Sequence, residues 1–145
     1  MRLPGSNQAS VAANAATIAT SLDLTNGSAT FGSLLVRTNT ATANTIAIGA
    51  GKTLTITGAV TVGYSSGANT TTVLTVTGAG SLAIGTSASP TNNNIRIGGN
   101  ITDAYSNGGT LDLGGLADFS AYLGSGYLRV GDLTNSSGNA TKSST

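Results

Sequence analysis

The sequence predicts an all-β chain folded as a parallel β-helix, a solenoid of about five to six coils. Three observations carry this. A four-residue unit, apolar-x-apolar-Gly, recurs as "IAIG" at 46, "VTVG" at 60, "LAIG" at 82, "IRIG" at 95, "LDLG" at 111 and "LRVG" at 128. A longer phrase is written twice, as "KTLTITGAVTVG" over 52–63 and "TVLTVTGAGSLAIG" over 72–85. Finally, the chain is 4% aromatic and 8% charged, with 21 glycines in 145 residues, against about a quarter charged in ordinary globular domains.

Strict alternation over such short units means strands with one buried face, and the closing glycine permits a sharp corner. The units assemble into coils at 52–71, 72–94, 95–109 and 110–126, with a further strand opening at 127, a period near 20 residues. Between them lie turn formers: "YSSGANTT", "TSASPTNNN" and "DAYSNGG". A β-sandwich would show similar strands. The solenoid is preferred because the unit repeats in sequence and because aromatics to fill a sandwich core are scarce. Leu74, Val76, Leu82 and Ile84 should build the core, while Thr75, Thr77 and Ala83 face outward.

The flanks read differently. Residues 1–30 are a leader or cap: Val11, Ala15, Ile18 and Leu22 stand at near-helical spacing, so a helix over 8–22 would cover the open first coil. The repeats fill 31–134, with "GLADFSAYL" at 115–123 a helical turn or a bulge. Residues 135–145 are a polar tail or linker. The opening "MRLPGSNQAS" lacks the apolar stretch of a secretory signal, so the protein either stays inside or is a mature or excised piece of a longer chain.

Composition excludes much chemistry. There is no cysteine and no histidine, which removes disulfides, thiolate metal sites and Ser-His or Cys-His nucleophile pairs. No apolar run approaches the roughly 18 residues of a membrane span, and a net charge of +1 gives no pull toward nucleic acid or lipid headgroups. The expectation is a chain without catalytic residues, cofactor or metal.

The segment from Val62 to Gly85, "VGYSSGANTTTVLTVTGAGSLAIG", resembles the repeats of bacterial autotransporter-type and related β-strand-repeat surface proteins. The skeleton is Val62-Gly63-Tyr64, a Gly/Ser/Asn loop, Leu74-Thr75-Val76, then Gly78 to Leu82 and Ile84-Gly85. The likeness is clear over about 52–100 and looser over 31–51 and 110–134. It implies a right-handed parallel β-helix, secreted or displayed at the cell surface, with a structural or adhesive role. Implied partners are host or environmental glycans or surfaces, or neighbouring copies meeting through open solenoid ends, with neither nucleic acid nor membrane insertion.

Two surface ladders follow if the coils stack in register. Arg96, Asp112 and Arg129 would line up as plus, minus, plus: an exposed ion-pair ladder worth under about 1 kcal/mol per pair, or a charged stripe for an anionic glycan. Thr53, Thr55 and Thr57 alternate outward on one strand, and Thr75 and Thr77 repeat two of them one coil later. Such a ladder makes ice binding an alternative function, although threonine is also an ordinary strand residue. Glycan binding or polysaccharide cleavage is a further alternative, but Asp103, Asp112, Asp118 and Asp132 are spread thinly. "SNGGTLDLGG" departs from the calcium nonapeptide at Leu111, and "IGAGKTLT" lacks the first glycine of a phosphate loop. Tyr64, Tyr105, Tyr122 and Tyr127 offer stacking rings or shield loop backbone.

Overall fold

A computed structural model describes residues 8–13, 21–38, 43–63, 71–98 and 108–131. These residues form eleven strands: β1 (Gln8–Ala13), β2 (Ser21–Leu24), β3 (Ala29–Phe31), β4 (Ser33–Thr38), β5 (Ala43–Ile48), β6 (Thr53–Ile56), β7 (Val60–Val62), β8 (Thr71–Ile84), β9 (Ile95–Ile97), β10 (Gly108–Ala121) and β11 (Leu128–Val130). They build two sheets. The first runs β1-β4-β7-β9-β11; the second runs β2-β5-β8-β6-β3, with β10 on the other side of β8. Every described ladder is parallel.

The second sheet is curled into a half-barrel, and the cause is visible along β8. Its first half pairs with β5 (Ile46 beside Val76) and its second half with β6 (Leu54 beside Leu82). Between β5 and β6 the chain turns at Gly49–Lys52, where the Lys52 N–H donates to the Gly49 carbonyl at 3.0 Å. β8 answers that turn by bending at Gly78, whose φ is +111°, a conformation that only glycine adopts without strain. β10 follows the whole of β8, with register shifts between Asp112 and Gly115 and between Leu116 and Asp118.

This arrangement corrects the expected right-handed parallel β-helix of about five to six coils. Strand lengths run from 3 to 14 residues, and one long bent strand spans two short ones, so no uniform coil repeats. The spacing between neighbouring strands also drifts. It is 25 residues where Thr53 meets Ser28, 29 where Asn44 meets Val73 and 33 where Asn92 meets Ser125; a 20-residue period does not describe it. The physical reason is that the same written phrase has two uses. In the first copy, Leu54 and Ile56 lie in β6 and Val60 and Val62 in β7, so its central glycine turns a corner between the sheets. In the second copy the four inward aliphatics, Leu74, Val76, Leu82 and Ile84, all belong to β8, and Gly78 and Gly80 lie inside that one strand of one sheet.

The helical cap is corrected too: residues 8–13 are strand β1, paired along its length with β4, and Leu22 lies in strand β2. Ala15 and Ile18 lie outside the described residues. Strands β1 to β3 join the two sheets, so the boundary expected at 30/31 falls inside β3. Residues 115–121 are strand with a bulge rather than a helical turn. The tail, 135–145, lies outside the described residues.

One apolar cluster fills the space between the sheets, drawing Leu34, Val36, Val60, Val62 and Ile95 from the first and Ile46, Ile48, Leu54, Ile56, Leu74, Val76, Leu82 and Ile84 from the second. Parallel pairing sets like beside like: Leu34, Val60, Ile95 and Leu128 form one column, Leu54, Leu82 and Phe119 another. Small aliphatics suffice because each side chain packs mainly on the strand above and below it.

Candidate functional site

The outward residues of the curled sheet form polar rows in register. Alternation places Thr45, Thr75, Thr55 and Ala83 opposite the buried Ile46, Val76, Leu54 and Leu82. Parallel register then builds rows across strands: Ser21, Thr45, Thr75 and Asp112 in one, and Thr30, Thr55, Ala83 and Ser120 in the next. Strand spacing sets neighbours in a row about 4.8 Å apart. The first row is three hydroxyls ending in a carboxylate, a line of donors and acceptors.

These rows are not the expected threonine ladder. Thr75 stands beside Thr45, not Thr55, and Thr77 beside Ala47 and Gly115. Thr53 stands beside Ser81 and Thr55 between Thr30 and Ala83. Thr57 has left the strand, and its N–H and hydroxyl both donate to the Phe31 carbonyl, at 2.9 and 3.3 Å. Thr53, Thr55 and Thr57 therefore do not stack on Thr75 and Thr77.

Nor does the charged ladder assemble. Arg96 and Arg129 are register partners in the first sheet, with Thr61 on the far side of Arg96. Asp112 lies in the other sheet beside Thr75, and its Oδ1 accepts from the Gly114 N–H at 2.9 Å. The Arg129 guanidinium sits over the Tyr127 ring, 4.6 Å from its centre, a cation–π contact on the outer face.

Other singled-out residues resolve simply. Lys52 ends the β5–β6 turn, and the following strand β6 leaves no helix for a phosphate loop. Asp118 lies in β10 near the bulge; Asp103, Asp132, Tyr64 and Tyr105 are outside the described residues. Among the described residues no three Asp, Glu, His or Cys side chains gather to hold a metal, and no helix is long and apolar enough to cross a membrane.

Several polar residues act structurally in ways that composition hid. Within "TNNN", the Asn92 Oδ1 accepts from both the N–H and the hydroxyl of Ser125 at 3.2 Å, and the Asn94 Oδ1 accepts from the Tyr127 N–H at 3.2 Å. Two asparagines thus pin the loop between β10 and β11 onto the layer below it. Thr91, 2% exposed, accepts from the Asn93 N–H. Asn44 occupies an inward position beside Leu74 and donates to the Val73 carbonyl at 3.0 Å. The Asp23 carboxyl is held below its ordinary value by the Thr25 hydroxyl, then by the Thr25 N–H, both donating to its Oδ1. The stacking of Asn92 on Ser125 and of Asn94 on Tyr127 needs the strand offset, which no local signal carries.

Comparison with known proteins finds no match: no protein-family model, no curated protein and no solved structure resembles the chain closely enough to count.

Proposed function

We propose that the protein is a non-enzymatic structural or adhesive module acting outside the cell, where its rigid sheets present rows of hydroxyls and loops to glycans or other surfaces. The observation that carries this reading is the row Ser21, Thr45, Thr75 and Asp112 on the outer face of the curled sheet. Evenly spaced hydroxyls ending in a carboxylate suit hydrogen bonding to sugar hydroxyls. Each contact is weak, and the gain comes from many acting together on a stiff frame. The scarcity of charge and the resemblance to surface-protein repeats support a place outside the cell. The threonine pairs that motivated ice binding, Thr55 with Thr75 and Thr57 with Thr77, do not stack.

The test is retention of the chain on immobilised neutral and acidic polysaccharides and on a glycan array. Thr45→Val with Thr75→Val should weaken retention about tenfold or more while leaving the circular dichroism spectrum unchanged. Equal retention of the parent and the double variant overturns the reading.

A further inference from the structure

We infer that Asn26 is a site of spontaneous covalent modification: in the folded protein its side chain cyclises onto the Gly27 nitrogen and opens to aspartate or isoaspartate. The turn between β2 and β3 meets each requirement of that reaction. Water must reach the carboxamide, and Asn26, Gly27 and Ser28 are all exposed. The attacking nitrogen must be unengaged; Gly27 lies outside every strand, and its N–H makes no hydrogen bond among the described residues. The main chain must rotate until that nitrogen reaches the Asn26 Cγ. Glycine allows this at the least steric cost, and nothing lies within 4 Å of a Cβ built on Gly27.

The hold on Asn26 is slight. Its Nδ2 donates to the Thr25 hydroxyl oxygen at 3.5 Å, a long bond, while the N–H and hydroxyl of Thr25 both donate to the Asp23 Oδ1, at 2.8 and 2.7 Å. The other described asparagines are tied down. Asn44 is 2% exposed and donates to the Val73 carbonyl at 3.0 Å. Asn92 and Asn94 accept from Ser125 and Tyr127 at 3.2 Å, and the Asn93 Nδ2 donates to the Thr91 hydroxyl at 3.3 Å. Each is also followed by a residue whose side chain crowds the attacking nitrogen: Thr45, Asn93, Asn94 or Ile95.

The atoms balance with water as the only co-reactant. The Gly27 nitrogen gives up its proton and bonds Cγ, the Cγ–Nδ2 bond breaks, and Nδ2 leaves as ammonia; nothing is oxidised or reduced. Water then opens the cyclic imide. Cleavage at Cγ yields aspartate, and cleavage at the main-chain carbonyl yields isoaspartate, whose backbone runs through the former side chain and is longer. Both products place a new carboxylate three residues from Asp23. The longer backbone falls between the two bonds that lay this turn on the β5–β6 turn: Gly49 N–H to the Leu24 carbonyl at 3.3 Å and Thr53 N–H to the Ser28 hydroxyl at 3.0 Å. Conversion therefore loosens this corner as the protein ages.

The inference is independent of what the outer face binds. The purified chain is kept for weeks at physiological temperature, folded and in guanidinium chloride, and its peptides are mapped by mass spectrometry with isoaspartate methyltransferase labelling. Conversion at Asn26 in the folded protein should come within about tenfold of its rate in denaturant. It should run faster in mildly alkaline than in mildly acidic buffer, because the attacking nitrogen must lose its proton. Asn44, Asn92, Asn93 and Asn94 should stay intact in the folded protein. Gly27→Ala should slow conversion about tenfold or more while the circular dichroism spectrum is kept. An Asn26 that stays intact in the folded protein, conversion of Asn44 or Asn92 at the same rate, or undiminished conversion in Gly27→Ala overturns the inference.

Discussion

Gly78 holds φ at +111°, and a Cβ built on it would run into the carbonyl of Ile48 on the neighbouring strand. Two independent penalties therefore fall on any side chain there: left-handed backbone strain and a clash with main chain that cannot step aside. Gly78→Ala should destabilise the protein by about 2 kcal/mol or more, measured by urea unfolding. Gly27 is the control, because nothing lies within 4 Å of a Cβ built on it; Gly27→Ala should stay within about 0.5 kcal/mol. The identity of Gly78 as a special position was legible in "TVTGAGSL". That it bends a strand, rather than ending one, depends on the turn at Gly49–Lys52 that it must follow. The same Gly-Ala-Gly stands at 49–51 and 78–80, where the β5–β8 register, Ile46 beside Val76, gives way to the β6–β8 register, Leu54 beside Leu82.

At the scale of the element, the alternation in β8 sorts its residues by face: Leu74, Val76, Leu82 and Ile84 are 2% exposed or less, while Thr75, Thr77 and Ala83 are partly open. This inside–outside assignment follows from period-two patterning alone and holds as expected. Leu82→Ala should cost about 2–5 kcal/mol, since Leu54 and Phe119 flank it in its column and cannot both collapse into the space. Thr55→Val, on the outer face beside Ala83, should change stability by no more than about 0.5 kcal/mol. Thermal or urea unfolding of the two variants checks both. The ladders proposed for these outward residues were not legible, because face follows from parity along one strand whereas neighbours follow from offset between strands. Asp112 shares outward parity with Arg96, yet the two lie in different sheets.

Across the whole molecule, protection should follow the sheet plan. β8 has neighbours along both sides, β5 and β6 on one and β10 on the other, and carries four apolar side chains that are 2% exposed or less. β11 pairs through only three residues with β9, and Leu128 and Val130 are largely exposed. Native-state hydrogen exchange at low protein concentration should show amides of β8 with β5 and β6 opening only near the global unfolding free energy, and those of β11 opening far more easily. Equal protection across β8 and β11 at low concentration would contradict the plan. The core that produces this gradient is continuous from sheet to sheet and takes in Phe31 of β3, with Leu22 and Leu24 of β2 packed against it, so β2 and β3, in the stretch read from sequence as a leader or cap, share the one core.

By itself the sequence determined that the chain is built of short strands with small aliphatics inside and hydroxyls outside, that glycine marks several of its changes of direction, and that cysteine and histidine chemistry are closed to it. These are local properties: they depend on residue type and on parity along a few residues. Only the tertiary structure decided whether a glycine turns a corner or bends a strand, how far apart in sequence neighbouring strands lie, and therefore which side chains become neighbours. "KTLTITGAVTVG" and "TVLTVTGAGSLAIG" read alike because their local energetics are alike. They fold differently because β8 has β5 and β6 already laid end to end beside it, and a parallel strand must follow the neighbours it pairs with.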